Sequence, residues 1–555
     1  MDFTKYFATR LAHLVTPQRE AIPNTPQVAN SAGGYAWPVD QWTRLDRFLV
    51  LGSEGGTFYA GERELTQENA QVVVECLASD GARLVRRIAE VSVAGRAPKN
   101  DPALFALAIA AGLGDDATRA LVWEALPQVA RTSTHLFHWL QYMKGFRGWG
   151  RGARRAVAAW YTAKPAEKVL HQVLKYPSRD GWAHRDALRL AHPKAPSVAH
   201  DLVFRYATKG WEGVLTLEGV GDMDVIHTIE AVQALKYQSP ALAAQAIARH
   251  GLTREMVPTE LLTHAVVWEA LLEQMPLTAL VRNLGVMSKV GVLAPMSASA
   301  ANVVARLGDR NAIKAARVHP IALLAALKTY AQGHGMKGKN SWRPVPQVVD
   351  ALDRAFYLAF ENVPSTGRRV MLALDVSGSM SARVLGMEFL DCREASAAMA
   401  LVTAASEPFH MFTAFTGGGY PSRWSPRLGS GLSTLAISPR QRMDDVVKSI
   451  SGLPFGGTDC ALPMLEAMKH QWPVDLFVIY TDSETWAGNI HPAQALRQYR
   501  QRMGIPARLV VVGMASNGFS IADPADGGML DVVGFDTATP QVIADFATGA
   551  MTRNT

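Results

Sequence analysis

The chain has 555 residues and a mass of 60.2 kDa, which is too long for one hydrophobic core and predicts about two to four domains. Hydrophobic residues make up 48% of it, yet no apolar run reaches the roughly 18 residues of a membrane span. The first residues lack the apolar core and cleavage site of a signal peptide, so we expect a cytoplasmic protein without a membrane partner. The cysteines, Cys76, Cys392 and Cys460, are too far apart for a disulfide framework or a zinc site.

The net charge of +7 is divided unevenly along the chain. Residues 1–360 hold 41 Lys and Arg against 31 Asp and Glu, or +10, whereas residues 361–555 hold 15 against 18, or −3. The densest basic run extends from Lys144 to Lys194, with twelve basic and three acidic residues. Such a run indicates either a polyanion partner or a solvated helical face, and composition alone leaves both open.

Residues 65–360 carry a helical pattern almost throughout. Apolar residues recur at i, i+3 and i+4 in segments such as LTQENAQVVVECLAS and SPALAAQAIARHG. Several segments are short, begin near Asp, Ser or Pro and end near Gly, as helices commonly do. Short paired helices in series predict an α-solenoid of the HEAT type, although the sequence shows no clean repeat of fixed period.

After Gly367 the pattern changes to apolar strands that alternate with amphipathic helices. The strand candidates are RVMLALDV, FHMFTAF, VDLFVIYTD and ARLVVVGM, separated by helical stretches at 386–405, 439–451, 460–471 and 492–503. This alternation predicts a mostly parallel sheet that is covered on both faces. Ligand sites in such sheets lie at the carboxyl ends of strands, where Asp375 and Asp482 fall.

The segment LALDVSGSM places three oxygen donors after a strand. Alternate residues of an extended segment point the same way, so Asp375, Ser377 and Ser379 can converge on one point before Gly378 allows a turn. Such donors suit a small divalent cation. The segment FGGTDC adds Thr458 in a glycine-rich loop between two strands.

These three elements together resemble the metal-ion-dependent adhesion site of von Willebrand factor A domains, and residues 367–555 resemble that family. The resemblance implies one magnesium or manganese ion, held directly by the hydroxyls of Ser377, Ser379 and Thr458 and directly or through water by Asp375 and Asp482. With only two acids among its ligands, the ion stays electrophilic enough to accept an acidic side chain of a partner protein or a phosphate. Ser483 directly follows Asp482 and is expected to affect only the hydrogen bonding around that acid.

The helical part contains sequence segments that are more specific than the apolar periodicity of helical proteins in general. THLFHWLQYMKGFRGWGRGARRAVAAWY (134–161) and ARVHPIALLAALKTYAQGHGMKGKNSWRP (316–344), with GMASNGFSIADPADGGMLDVVGFDT (513–537), resemble the TROVE-module family of Ro ribonucleoproteins. The resemblance covers about residues 35–550. It predicts a TROVE ring of HEAT-like helical repeats at 1–366 and a doubly wound α/β von Willebrand factor A domain at 367–555, in a monomer.

The same resemblance implies that small noncoding Y-like RNAs bind the outer surface, and that single-stranded 3′ ends of misfolded RNA enter a basic hole. The protein would then act in RNA quality control or as an adaptor to an exoribonuclease. Arg151, Arg154 and Arg155 follow i, i+3 and i+4, so they can share one helical face and contact successive phosphates. Lys144, Arg147, His184 and Arg185 match the family's RNA-contacting region, whereas Trp182 fits a core role better than base stacking.

Three functions of different classes remain open at this point. The leading hypothesis is a non-enzymatic RNA-binding protein, because the basic residues are concentrated in one module. The alternative is a protein-interaction scaffold that works mainly through the metal site, with the basic face serving solubility. A metal-dependent hydrolase or nuclease is disfavoured, because the site has few acids and no adjacent base.

Overall fold

The computed structural model describes residues 15–52, 62–146, 148–215, 224–335, 340–360, 365–383, 391–417, 431–439, 441–451 and 456–550. The chain forms two compact units. Residues 73–359 form one, here called the helical unit, and residues 1–72 together with 360–555 form the other, here called the α/β unit. This division differs from the predicted single boundary between residues 366 and 367, because the N-terminal residues belong with the C-terminal ones.

The helical unit consists of helices joined by short turns. Its first helix, α2 (Glu62–Ala94), begins before the unit and is interrupted at Asp80, whose φ of −157° is not helical. The following helices are α3 (Asp101–Leu113), α4 (Asp116–Val129), α5 (Ser133–Phe146), α6 (Arg151–Thr162), α7 (Ala166–Lys175), α8 (His184–Ala191), α9 (Val198–Lys209), α10 (Trp211–Leu215), α11 (Asp224–Ala234), α12 (Pro240–His250), α13 (Ala265–Gln274), α14 (Leu277–Lys289), α15 (Ala298–Leu307), α16 (Arg310–Ala315), α17 (Pro320–Ala331) and α18 (Pro346–Leu358). Two short strands, β3 (Ser178–Arg179) and β4 (Trp182–Ala183), form a hairpin between α7 and α8.

Helices that are close in the chain pack against each other, as in a helical-repeat stack. Helix α3 packs on α5, α12 on α13 and α17 on α18. The two ends of the stack also meet. The His319 Nε2 atom lies 3.1 Å from the carbonyl oxygen of Arg96, 223 positions earlier, and Gly95 lies against Arg317. The predicted helical-repeat architecture is therefore confirmed, and contacts between its two ends close the unit.

The α/β unit combines an N-terminal segment with the C-terminal third of the chain. The N-terminal segment, residues 15–52, contributes β1 (Val28–Ala29), β2 (Tyr35–Pro38) and α1 (Gln41–Leu51). The C-terminal part contributes β5 (Val370–Asp375), α19 (Cys392–Ser406), β6 (His410–Phe415), β7 (Leu432–Leu435), α20 (Met443–Ser451), α21 (Leu462–Lys469), β8 (Leu476–Thr481), α22 (Pro492–Met503), β9 (Arg508–Gly513), β10 (Phe519–Ser520), β11 (Met529–Val533) and α23 (Thr539–Thr548).

The main sheet has the strand order β11-β9-β8-β5-β6-β7. Every neighbouring pair is parallel except β6 and the edge strand β7. All six residues of β5 and all six of β8 are buried, so both faces of the central strands are covered. The predicted doubly wound α/β fold is confirmed, and the apolar strand candidates correspond to β5, β6, β8 and β9.

The N-terminal segment joins this fold through a second, antiparallel sheet with the order β1-β2-β10. Strand β2 pairs with β10, with Trp37 opposite Ser520. Helix α1 contributes Arg47, which is 1% exposed and donates to the carboxylate of Asp531 in β11 at 2.7 Å. These partners are more than 450 positions apart in the chain. Sequence patterns are local and do not show such pairings, so they predict residues 15–52 as part of the helical domain that follows.

In the parts of the chain that the structure describes, no helix combines the length and the apolar character that a membrane crossing requires.

Candidate functional site

The carboxyl ends of β5 and β8 bring two predicted metal ligands to one edge of the sheet. Strand β5 ends at Asp375, and β8 beside it ends at Thr481, directly before Asp482. The Thr481 hydroxyl donates to Asp375 Oδ2 at 2.6 Å, which ties the two strand ends together. Thr458 lies in a separate loop. Its carbonyl oxygen accepts hydrogen bonds from the backbone N–H groups of residues 486 and 487, both at 3.0 Å.

The DVSGS segment folds into the predicted turn after β5. The backbone N–H of Ser377 donates to Asp375 Oδ1 at 2.9 Å, and residues Gly378–Ser381 form a short 3₁₀ turn. The hydroxyls of Ser377 and Ser379 lie 3.0 Å apart. All five predicted ligands are buried, the most exposed being Asp482 at 4%.

Burial and mutual repulsion make this pair of carboxylates unfavourable without a cation. Burial raises the pKa of Asp375. Burial raises the pKa of Asp482 well above its ordinary value, and the nearby charges of Asp375 and Glu484 raise it further. A bound cation would stabilise both carboxylates in their charged form.

The donor set fits an oxygen-binding cation. Among the residues that the structure describes, Thr458 Oγ1, Asp482 Oδ2 and Ser483 Oγ are buried oxygen atoms without a hydrogen-bond partner. Buried polar atoms normally have a partner, so these three oxygens fit the role of cation ligands. The described residues contain no cluster of three His, Cys, Asp or Glu side chains that could hold a metal. A cation at this site would therefore depend on hydroxyl oxygens for most of its protein ligands. Magnesium suits a set of few carboxylates and retained waters.

The three arginines of the basic run share one face of α6, as their spacing predicts. Arg151, Arg154 and Arg155 are exposed, whereas Ala153 and Val157 on the opposite side are buried. Gly150 precedes the helix, so the arginines lie over its N-terminal turn, where the backbone N–H groups add positive potential. Within the described part of the chain, none of the three side chains forms an ion pair, and all three charges remain available to an anion.

Other predicted RNA contacts divide into exposed and buried positions. Lys144, in the last turn of α5, is exposed. Arg185 on α8 is also exposed and lies 3.6 Å from Asp186. Arg147 lies outside the described residues. Lys144 and Arg185 therefore remain candidates together with the α6 arginines.

His184 is the exception, because the structure places it in the interior at 2% exposure. Its Nδ1 atom lies 2.8 Å from the Tyr161 hydroxyl and its Nε2 atom 3.1 Å from the carbonyl oxygen of Tyr176. Burial lowers the pKa of His184 to about 4, so the ring is neutral near pH 7. Both ring nitrogens are occupied and the charge is absent, so the prediction that His184 contacts RNA does not fit its position.

An aromatic pair, Trp149 and Trp182, lies beside the exposed basic residues, and Trp149 was not among the predicted RNA contacts. The rings of Trp149 and Trp182 are 5.6 Å apart, and both side chains are half-buried. The Trp182 Nε1–H donates to Gln141 Oε1 at 3.2 Å. The sequence signal for Trp149 was its position between glycines inside the basic run, a composition that is typical of single-stranded nucleic-acid surfaces.

Comparisons with known proteins match the chain to two family models. A family model described as the TROVE domain matches residues 28–329, and one described as the Ro60 vWA domain matches residues 369–547. "RNA-binding protein RO60" of Deinococcus radiodurans is 43% identical over 537 residues, which cover 96% of this chain and 97% of that protein. The protein of the same name from Caenorhabditis elegans is 37% identical over 596 residues, which cover 94% of this chain and 90% of the relative.

A solved structure is similar over nearly the same length. The crystal structure of the Deinococcus radiodurans RO (RSR) protein matches with a TM-score of 0.67 and 42% identity, covering 92% of this chain and 100% of that one. The TROVE match begins at residue 28, inside the segment that packs in the α/β unit, so the sequence domain and the compact unit have different boundaries. Identity of this level over almost the whole chain shows that the protein belongs to the Ro60 family, in which a TROVE domain is joined to a vWA domain.

Proposed function

We propose that this protein binds RNA through the helical unit and acts by binding rather than by catalysis. The observation that carries the proposal is the row of exposed arginines, Arg151, Arg154 and Arg155, on one face at the start of α6. Side chains spaced by one helical turn can contact successive phosphates of a strand. The names of the two relatives, both RNA-binding proteins, support the same function.

The proposed RNA class is the one that the resemblance to the family implies, and the closure of the helical unit supports it. Small noncoding Y-like RNAs bind the outer surface, and single-stranded 3′ ends of misfolded RNAs enter the hole of the ring. The protein is then a cytoplasmic monomer that serves RNA quality control or delivers RNA to an exoribonuclease. Contacts between residues 95–96 and 317–319 support this proposal, because a closed stack admits a chain end and excludes a closed loop.

An RNA stem with a single-stranded 3′ tail is expected to bind at least about tenfold more tightly than the same stem with blunt ends. One additional base contact of about 1–3 kcal/mol is sufficient for that difference. Filter binding or fluorescence anisotropy at fixed salt measures it. A circular RNA of the tailed sequence serves as the control, because it keeps the single strand but has no end. Equal affinity for the tailed and circular molecules contradicts entry of an end into the ring.

We further propose that the α/β unit binds one magnesium or manganese ion at Asp375, Ser377, Ser379, Thr458 and Asp482. The orphaned oxygens of Thr458 and Asp482 support this proposal. When bound, the ion supplies an electrophilic position that accepts an acidic side chain of a partner protein or a phosphate. In the alternative function, a protein-interaction scaffold, this site has the main role. The burial of all five predicted ligands favours a preformed site there.

Replacing Asp375 with Ala is expected to abolish binding of Mn²⁺, because the variant removes one of the two acids in the donor set. Calorimetry on chelator-treated protein measures the loss. Asp545→Ala, which removes an acid from α23 outside the site, serves as the control and should bind like the wild type. Absence of binding to the wild type at millimolar Mn²⁺ and Mg²⁺ contradicts the metal proposal. The Asp375→Ala variant should bind RNA as the wild type does, because the arginines lie in the other unit.

A further inference from the structure

Gln18 in the N-terminal segment is a fully buried amide in the α/β unit. Its Nε2 donates to Asp459 Oδ1 at 2.7 Å and to the carbonyl oxygen of Ile490 at 2.9 Å. Its Oε1 accepts from the Thr485 hydroxyl at 2.5 Å and from the Gly488 backbone N–H at 3.2 Å. A glutamine amide offers two donors and two acceptor positions, so every hydrogen-bonding position of this side chain is used.

The partners of Gln18 lie on the two loops that carry separate metal ligands. Asp459 directly follows Thr458, and Thr485 lies three residues after Asp482. The Gln18 amide therefore bridges the loop of Thr458 and the loop of Asp482. A second set of bonds runs directly between the loops, where Trp486 N–H and Ala487 N–H donate to the Thr458 carbonyl oxygen.

Other residues of the N-terminal segment hold the same loop. The Asn30 side chain donates to the Thr485 carbonyl oxygen at 2.8 Å, and the Ala32 N–H donates to Glu484 Oε2 at 3.0 Å. Gly34 passes so close that a Cβ atom there would lie 1.9 Å from the Thr485 carbonyl oxygen, so a larger residue cannot occupy this position without displacing the loop. The segment is therefore packed against the backbone that follows Asp482.

We propose that Gln18 is a positioning residue for the metal site, which fixes the spacing between Thr458 and Asp482 before the ion binds. The inference rests on the proposed metal site. Magnesium requires near-ideal octahedral geometry with distances of about 2.0–2.1 Å, so ligands on independent loops must be held in place. Hydrogen-bond partners behind the ligands of a metal commonly change its affinity by about 10- to 100-fold. An amide more than 400 positions away in the chain performs that task here.

The test is a Mn²⁺ titration of the full-length, chelator-treated protein, in which electron paramagnetic resonance reports free and bound Mn²⁺. Gln18→Ala is expected to weaken Mn²⁺ binding by about 10- to 100-fold. Gln494→Ala is the matched control. Gln494 also ties the N-terminal segment to the rest of the α/β unit, because its Oε1 accepts a hydrogen bond from the Thr16 N–H at 3.1 Å. That contact involves neither of the two loops that carry predicted metal ligands. This control is expected to bind Mn²⁺ within about twofold of the wild type.

A purely structural role for Gln18 is separated from positioning by two further readouts. Urea unfolding without metal measures the stability that each variant has lost. The line shape of bound Mn²⁺ reports the regularity of its coordination, which is expected to change in Gln18→Ala and not in Gln494→Ala. If Gln18→Ala does not fold, Gln18→Met fills a similar space and removes the same four bonds of the amide; it is also expected to weaken Mn²⁺ binding by about 10- to 100-fold.

The outcomes separate this inference from the proposed metal site. Wild-type protein that binds Mn²⁺, together with Gln18→Ala or Gln18→Met that binds it equally well, overturns the positioning role and leaves the site intact. Wild-type protein that does not bind Mn²⁺ overturns the site itself, and the inference with it. Equal losses in Gln18→Ala and Gln494→Ala show that general docking of the N-terminal segment matters, which also overturns the specific role of Gln18.

Discussion

Replacing Arg47 with Ala is expected to lower the free energy of unfolding of the α/β unit by about 3–5 kcal/mol, the range for breaking a buried ion pair. The guanidinium is 1% exposed and has two sets of partners. Its NH2 group donates to both carboxylate oxygens of Asp531, at 2.9 and 2.7 Å. Its NH1 group donates to Asn517 Oδ1 at 2.6 Å and to the Phe519 carbonyl oxygen at 2.9 Å.

The large effect arises from what the substitution leaves behind. Without Arg47, the largely buried Asp531 carboxylate loses its counter-charge, and the acceptors at residues 517 and 519 lose their donor in an interior where water cannot replace it. The loss is therefore mainly an uncompensated desolvation cost rather than the strength of the ion pair. Arg47→Met with Asp531→Leu removes both charges and is expected to recover more than half of the loss.

Hydrogen exchange of β9 and β11 in the intact protein measures the effect, because it reports the opening of this unit independently of the helical unit. Arg369→Ala is the matched control. Arg369 also forms a two-pronged contact with a carboxylate, that of Asp475 at 2.6 and 2.8 Å, but its side chain is 45% exposed. A solvent-exposed pair contributes about 0–1 kcal/mol. If Arg47→Ala destabilises the unit no more than Arg369→Ala, the buried pair does not anchor the N-terminal segment.

The elements that could be predicted from the sequence are those specified by neighbouring residues. The apolar runs predicted β5, β6, β8 and β9, because strands buried on both faces of a parallel sheet need continuous apolar residues. The acids at the ends of β5 and β8 could be predicted because each stands at the end of an apolar run, and parallel strands bring their carboxyl ends to one edge of the sheet. The i, i+3, i+4 spacing placed three arginines on one face of α6, because the helical period is local.

The features that escaped prediction depend on distant partners. Strands β1 and β10 have two residues each, too few to show an alternating pattern. Gln18 and Arg47 are ordinary polar residues in the sequence, and only the fold shows that each is buried with its partners more than 400 positions away. His184 lies in a basic stretch that predicts a surface, yet Tyr161 and Tyr176 enclose it in the interior. Burial of a polar side chain is a tertiary property that local composition does not contain.

The triple substitution Arg151→Gln, Arg154→Gln and Arg155→Gln is expected to weaken RNA binding on the order of 100-fold at low salt, because three charge-assisted contacts of about 1 kcal/mol each are removed. The dependence on salt is the more specific result. Each phosphate contact contributes about 0.7 to the slope of log affinity against log salt for a single strand, and about 0.9 for a duplex. The slope should therefore become shallower by about two to three, and the loss should be similar across RNA sequences.

A matched variant distinguishes local contact from the general field of a basic protein. Arg249, Arg282 and Lys314 are exposed on α12, α14 and α16, so their replacement by Gln removes the same charge from the same unit. Screening over about 10 Å at 0.1 M salt limits the effect of charges that do not touch the RNA. We therefore expect this control to change the slope by less than one. Equal changes in the two triple variants contradict a phosphate-binding face on α6, since the RNA then responds only to the net charge of the helical unit.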